Sequence, residues 1–394
     1  MIVHIVAGLV AIPVVLPCAY LLLLTALSAT RQTPRSSRRL RFDVIVPAHD
    51  EAAVIERTVR SLRGLDWPPE SYRVFVVADN CGDATAALAR GAGAKVLERR
   101  DPERPGKGYA LEFAFAVSAC DAWADALVVV DADSTVSPNA LEACAARIER
   151  GAGAVQLHSG VLNPNDSWRT RLMAIALAAF LDVRSRARSR LGLSCGIRGN
   201  GWCVTREAVM RVPHRAYSLA EDLEYGIELG LAGIRADYAD EAGALSEMVS
   251  SERSARSQRL RWEIGRFALL RARAVPLLAA AIRRRSLLCL DLALDLLVLP
   301  LTYVFAGAIV LAAIGAVGEL TLHRGLVWLW IGLGCVLSLV IHVLRGWYLS
   351  DVGFRGLLDL VRVPGFMLWK IALLLASPRP HAWIRTNRKG VRHE

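Results

Sequence analysis

None of the eight cysteines is spaced as a zinc site or a disulfide framework requires, so both kinds of staple drop out. The cysteines read as reduced thiols of a cytosol-facing protein. No Gly-x-Gly-x-x-Gly follows the first strand-like run and no Walker loop occurs, which removes support for dinucleotide and P-loop readings. Negative charge is in short supply: 37 Asp and Glu stand against 48 Lys and Arg, for a net charge of +11. The Arg clusters border apolar runs instead of forming a separate basic domain, which suits a cytoplasmic membrane surface and argues against nucleic acid as a partner. Residues 1–28 carry no Asp, Glu, Lys or Arg at all. Such a run can cross a bilayer, which takes about 20 residues. It lacks the basic start and small-residue cleavage site of a signal peptide. Arg31, Arg35, Arg38, Arg39 and Arg41 follow it, so that end is expected in the cytoplasm.

What the chain does have is an apolar fraction of 54% over 394 residues. Soluble domains usually have about 45–50%. The excess sits at the two ends, around an ordinary polar middle. That middle alternates. Strand-like runs at Phe42–Pro47, Arg73–Asp79, Ala94–Glu98, Ala126–Asp131 and Ala154–His158 are separated by helical stretches at Glu51–Gly64, Asp83–Arg90, Lys107–Ala119 and Pro138–Arg150. The pattern predicts a mostly parallel sheet with helices on both faces.

Several further segments read as membrane-associated. In residues 170–191 an apolar run, Leu172–Leu181, precedes Arg184, Arg186, Arg188 and Arg190, which predicts an amphipathic helix lying in the interface. Residues 266–285 read as a second interfacial helix. Transmembrane helices are expected at 287–318, with Leu296–Gly318 free of charge, and at 325–345. Arg283, Arg284 and Arg285 precede the first of these and Arg345 follows the second, so both flanks are expected in the cytoplasm. Residues 357–377 contain Pro364 and Lys370 and read as an interfacial or re-entrant helix, before a basic cytoplasmic tail at 378–394. Asp291 and Asp295, one helical turn apart, either line a polar path or pair with Arg283 and Arg284, and pairing is the expectation.

The chemistry centres on Leu127-Val128-Val129-Val130-Asp131-Ala132-Asp133. A buried strand runs into two carboxylates at its carboxyl end, where an open α/β sheet places its ligand. Two acidic side chains there are costly unless a cation sits between them, and a divalent metal that also grips phosphate meets that cost. Around this stretch, in order, come Val46-Pro47-Ala48-His49-Asp50-Glu51, Val77-Ala78-Asp79-Asn80-Cys81-Gly82-Asp83, Pro105-Gly106-Lys107-Gly108, Arg198-Gly199-Asn200-Gly201, Glu221-Asp222 and Gln258-Arg259-Leu260-Arg261-Trp262.

This ordered set resembles the membrane-integrated family 2 glycosyltransferases, the group that includes cellulose, chitin and hyaluronan synthases and ceramide glucosyltransferases. The resemblance covers residues 42–265 and implies an α/β fold: a GT-A, Rossmann-like, mostly parallel cytoplasmic domain with transmembrane and interfacial helices. It implies an inverting transfer from a nucleotide-diphospho-sugar to a growing polysaccharide or a membrane lipid, in a multi-pass cell-membrane protein. The implied metal is Mg2+ or Mn2+ on Asp133 and Asp131, with Asp131 also towards the ribose. Pro47, Ala48, Glu51, Asp79 and Lys107 complete the donor site. His49 is expected to wall the nucleotide pocket, not to bind metal. Ala78 and Asn80 depart from the family's Asp-Asp-Gly-Ser pattern, but Asp79 can still accept a hydrogen bond from a uracil ring nitrogen, so a UDP-sugar is implied. Asn200, Gly201, Glu221 and Trp262 would border the acceptor. Asp222 is the candidate base, Glu221 its competitor; Gln258, Arg261 and Trp262 would complete the catalytic set, with Arg261 on the diphosphate. A rival class is a non-catalytic membrane partner or transporter subunit that keeps a degenerate transferase domain.

Overall fold

The computed structural model describes residues 2–30, 32–248 and 252–365. The expected tail at 378–394 and most of the segment expected at 357–377 lie outside the described residues.

The chain opens with helix α1 (Ile2–Ala26), then forms β1 (Phe42–Ala48), α2 (Ile55–Arg63), β2 (Tyr72–Asp79), α3 (Thr85–Gly91), β3 (Lys95–Arg99), α4 (Lys107–Asp121), β4 (Ala126–Val129), β5 (Ser134–Val136), α5 (Ala140–Ile148) and β6 (Ala154–Val161). A long helical stretch follows, made of α6 (Trp168–Leu177), a π-helical segment at Ala178–Val183 and α7 (Arg184–Arg190). Next come β7 (Trp202–Thr205), α8 (Arg206–Arg211), α9 (Glu221–Leu231) and β8 (Ala236–Ser246). The rest is helical: α10 (Glu252–Arg284), α11 (Leu287–Leu297), α12 (Leu301–Leu322), α13 (Leu326–Leu349) and α14 (Gly353–Asp359).

The strands form one eight-stranded sheet in the order β3-β2-β1-β4-β7-β6-β8-β5. The β3-β2-β1-β4 half is parallel throughout, β7 runs antiparallel to both its neighbours, and β6 pairs with β8 in parallel. Side-chain alternation along the strands feeds two apolar layers. Phe42, Val44, Val46, Val128 and Val130 pack with Ile55, Val59, Leu62 and Leu141 on one face, and Ile45, Leu127 and Val129 pack with Leu111, Phe115 and Trp202 on the other. The one charge at the start of β1, Asp43, is fully buried, and its register partner Arg73 holds it with two bonds of 2.7 Å while Ser118 donates a third.

Three strands were not foreseeable from apolar runs. β5 is three residues long, β7 is four, and β8 is built from small and acidic residues, Ala-Asp-Tyr-Ala-Asp-Glu-Ala-Gly-Ala-Leu-Ser. Their place comes from pairing with neighbours, not from their own periodicity.

Among the described residues, three helices are long and apolar enough to cross a membrane: Ala7–Ala26, Leu301–Leu322 and Leu326–Leu349. They pack together through Val14, Cys18, Leu21, Val304, Ala308, Cys335 and Leu339. α12 and α13 approach closely because Gly315 and Gly332 face the opposite backbone, where a Cβ would collide with Leu329 and Ala312. The single helix expected over 287–318 is instead two, broken at Val298-Leu299-Pro300, where proline supplies neither the donor nor the backbone freedom to continue. The boundary expected at residue 265 is no break either, since α10 runs through it.

The helix expected over 170–191 differs most in what it does with its arginines. Arg184 and Arg188, one turn apart, are buried and reach Asp295 and Asp291 of α11, while Arg186 pairs with Asp240 at 3.1 Å. The two carboxylates therefore neutralise this helix and not, as expected, Arg283 and Arg284; Arg284 instead donates to the Leu231 carbonyl.

Candidate active site

The Asp-x-Asp turn sits between β4 and β5, and the surrounding elements fix its backbone. Asn200 accepts the Asp131 N–H at 2.9 Å, Thr58 donates to the Ala132 carbonyl at 2.7 Å, and Arg57 reaches the Asp133 carbonyl at 3.3 Å. Ser134 donates to the Asp133 carboxylate at 3.2 Å. Asn200 is itself buried and donates to Ser134 and Ser246 at 2.7 and 3.1 Å, so one amide ties the turn to the ends of β5 and β8. Its loop is anchored from below by Gln156, a buried polar residue on β6 that donates to the carbonyls of Asn200 and Gly201 and accepts the Arg198 N–H. Gly201 has a φ of +70° and lies where a Cβ would press on Ala244, so both conformation and space require glycine.

Lys107 links the two sides of the site. It is the first residue of α4, behind Gly106 at a φ of +127°. Its ammonium lies 2.8 Å from Asp131 Oδ1 and 3.0 Å from Glu221 Oε1. Burial would lower the Lys107 pKa, but the carboxylates of Asp131, Glu221 and Asp222 outweigh that and hold it above its ordinary value. Burial pushes the Glu221 carboxyl up, Lys107 opposes this, and Asp222 adds to the rise, so the net direction is upward. α4 can lie so close to the loop before α9 because residue 108 is glycine, with no side chain to strike the Ala216 carbonyl. Tyr109 then stacks on Tyr217 at a centroid distance of 4.2 Å.

Glu221 and Asp222 open α9, where the helix dipole favours negative charge. Asp222 is half-buried and accepts the N–H of Gly199 through Oδ2. Trp262 lies on α10 with 42% of its surface exposed, and Gly265, one turn on, brings α10 against Leu219 and Ala220 immediately before Glu221. Gln258 and Arg261 fall on the same helix, in a stretch whose side chains lie outside those described.

On the far side, Pro47 and Ala48 pair with Val77 and Ala78 at the ends of β1 and β2. Glu51 donates its N–H to Thr85 at 2.8 Å, and the His49 ring meets the Asp79 carbonyl at 2.7 Å. Asp79 is already engaged: Arg99, its register partner on β3, bonds it at 2.6 Å and the Gly106 N–H approaches at 3.3 Å. Among the described residues a three-ligand cluster lies at Asp50, Cys81 and Asp83, not at the Asp-x-Asp turn. Its groups organise their own loop: Asp50 accepts the Gly82 N–H, Asp83 accepts the Thr85 N–H, and the Cys81 thiol donates to the Ala48 carbonyl.

A family model described as "Glycosyltransferase like family 2" matches residues 39–265. The chain belongs to this glycosyltransferase family. It is 30% identical over 173 residues to the beta-monoglucosyldiacylglycerol synthase of Trichormus variabilis, covering 42% of this chain and 36% of that protein. It is 25% identical over 234 residues to the probable glycosyltransferase YdaM of Bacillus subtilis, covering 57% and 55% respectively. The matched stretch thus spans 36% to 55% of the length of these curated relatives. Among solved structures, the mannosyltransferase PcManGT of Pyrobaculum calidifontis, in complex with GDP-Man and Mn2+, superposes with a TM-score of 0.54 at 20% identity, over 86% of this chain and 98% of that one. That likeness is one of fold, and it places this family 2 glycosyltransferase in the GT-A class.

The residues that sequence reasoning missed are the supporting ones: Arg99 on Asp79, Gln156 beneath the 198–201 loop, and the serine pair Ser134–Ser246. Gln156 alone left a signal, as a polar residue set between Val155 and Leu157 at the apolar start of β6. Glu221, expected to border the acceptor and to compete with Asp222 as base, has its carboxylate on Lys107.

Proposed function

We propose that this glycosyltransferase moves a sugar from a nucleotide-diphospho-sugar, a UDP-sugar, to a lipid acceptor at the cytoplasmic face of the membrane, with inversion at the anomeric carbon. The observation that carries the reading is the Lys107 bridge, because one ammonium joins the donor-side Asp131 to the Glu221–Asp222 pair on the acceptor side. The acceptor hydroxyl attacks the anomeric carbon, its proton passes to Asp222, the bond from that carbon to the diphosphate oxygen breaks, and the nucleoside diphosphate leaves. Gly199 fixes the Asp222 carboxylate for that proton by donating its N–H. Lys107 and the start of α4 supply positive charge where the leaving group gains negative charge.

Asp131 and Asp133 offer the hard oxygen donors that Mg2+ or Mn2+ prefers, and the ammonium 2.8 Å from Asp131 marks a position where positive charge is already accommodated. When bound there, the metal would screen the diphosphate. Uridine is favoured by chemistry: Asp79 accepts and Arg99 donates, which matches the N–H flanked by carbonyl oxygens on a uracil edge. Lipid is preferred to polysaccharide because the matching relative from Trichormus variabilis is named for a glycosylated diacylglycerol, and because three apolar helices pack beside the catalytic domain. The test is to incubate the purified full chain with radiolabelled UDP- and GDP-sugars, Mn2+ and a membrane lipid extract. The reading expects a labelled, organic-soluble product from a UDP-sugar. Label only in high-molecular-weight polymer, or only from GDP-sugars, would overturn it.

A further inference from the structure

Directly behind the 198–201 loop, where the catalytic domain meets α1 and α11, lies a buried group of charges that the proposed transfer does not use. Arg184, Arg188 and Arg198 have side chains 2%, 0% and 6% exposed, and all three converge on Asp295. Arg188 also meets Asp291 at 3.0 Å and the Tyr20 hydroxyl at 2.7 Å. A fourth guanidinium, Arg266, donates to the carbonyls of Asp295 and Val298. Four cations thus face two carboxylates. The surplus shows in unused donors: Arg184 Nε, Arg188 Nη1 and Arg198 Nη1 are buried with no hydrogen-bond partner. Burial, together with its cationic neighbours Arg266, Arg188 and Arg198, holds the Arg184 pKa down to about 10 despite Asp295. Buried cations in excess of their carboxylates, with donor atoms left unused, are costly unless something anionic completes them.

The cluster is tied to the active site through the chain itself, and two of its members are only half-buried. Phe180, in the π-helical segment, is half-buried and sits against three of the guanidiniums, 4.7 Å from Arg184, 5.1 Å from Arg198 and 5.5 Å from Arg266. Arg266, also half-buried, lies one helical turn beyond Trp262 on α10. Arg198 is the neighbour of Gly199, whose N–H holds Asp222. Arg198 therefore joins the cluster directly to the loop that holds Asp222, and Phe180 and Arg266 are its half-buried members.

We propose that the acceptor carries a phosphate, and that Arg184, Arg198 and Arg266 around Phe180 bind it while a hydroxyl of the same molecule reaches Asp222. The acceptor class is then a phospholipid with a free headgroup hydroxyl, a membrane lipid of a different class from the diacylglycerol in the relative's name. This rests on the lipid-acceptor reading above. The atom balance is unchanged, since the hydroxyl oxygen takes the sugar, its proton goes to Asp222, and the phosphate is a handle that forms and breaks no bond.

The experiment measures binding to the full chain in detergent, with UDP and Mn2+ present, using dioctanoyl phosphatidylglycerol, dioctanoylglycerol and inorganic phosphate as probes in calorimetry. Phosphatidylglycerol is expected to bind at least tenfold more tightly than dioctanoylglycerol, with inorganic phosphate far weaker than either. R184Q and R266Q should each lose that tenfold preference. R184Q should keep or raise the unfolding temperature, because it removes a desolvated charge with an unused donor; a purely structural arginine would do the reverse. Equal binding of the two lipids, occupancy by inorganic phosphate with no gain from acyl chains, or variants that unfold earlier while keeping the preference would each overturn the proposal. Intact UDP binding alongside equal lipid binding would overturn the phosphate handle and leave the transferase reading standing.

Discussion

Replacing Lys107 by methionine tests the bridge between the two halves of the site. The variant keeps most of the side-chain volume but leaves the Asp131 and Glu221 carboxylates facing each other with no cation between them. Each ammonium–carboxylate contact near 3 Å is worth about 5 kcal/mol of Coulomb attraction at an effective dielectric of about 20. Desolvation of the ions takes back several kcal/mol of that. Lys107 is 26% exposed, Asp131 33% and Glu221 13%, so water screens part of the remainder. The net loss is about 2–4 kcal/mol, which lowers the unfolding midpoint of a domain this size by roughly 5–15 °C. The sign of the pH dependence follows from Glu221. Its pKa already lies above the ordinary 4.5, so the folded state holds that proton more tightly than the unfolded chain, and this group's contribution falls as pH rises from 4.5 to the raised value. Removing Lys107 takes away the charge that opposes the rise and widens that window. The deficit of K107M relative to the parent should therefore be largest at pH 7–8 and shrink towards pH 5. Scanning fluorimetry of both proteins at the two pH values measures it. Equal midpoints at both, together with a parental transfer rate, would refute the bridge.

Two further outcomes follow from the same geometry. Asp133→Asn removes one hard anionic oxygen and should abolish transfer and weaken Mn2+-dependent UDP binding at least tenfold by calorimetry, since a neutral amide oxygen is a poor substitute on a divalent ion. Full activity of that variant, or of the parent in excess chelator, would remove the metal assignment. Asn200→Ala leaves the Asp131 N–H without its partner and breaks the ties to Ser134 and Ser246, and should lower stability by about 2–4 kcal/mol, as loss of several buried hydrogen bonds does; chemical denaturation measures it.

The β3-β2-β1-β4 half of the fold was legible because it is written locally. Val44, Val46, Val128 and Val130 against Ile45, Leu127 and Val129 alternate in sequence as they do in space, and the polar residues that follow them, Asp79, Asp131 and Asp133, fall at strand ends by the same logic. β5, β7 and β8 were not legible, because their residues become strands only through their neighbours. The buried charges were misread for a related reason. Arg184 and Arg198 reach Asp295 across 111 and 97 residues of chain, while Arg283 and Arg284 stand closer to it in sequence and on the surface. An arginine every second residue looks like a membrane-facing surface, and only the packing of α7 against α11 turns two of the four inward. The candidate base and its lysine were visible as residue types, but the contact of Lys107 with Glu221 spans more than a hundred residues and needed the fold.

The measurement that bears most directly on the proposed mechanism separates proton removal from donor binding at Asp222. Asp222→Asn keeps the shape and can still accept the Gly199 N–H, but it cannot take a proton. Loss of a general base costs about 10²–10⁴-fold in rate. With the donor bound to saturation, single-turnover transfer by D222N should slow by that factor, while its calorimetric affinity for the UDP-sugar stays within about threefold of the parent, which is under 1 kcal/mol. If D222N instead loses donor binding as severely as Asp133→Asn, or transfers at the parental rate, Asp222 is not the base and the account of the site is contradicted.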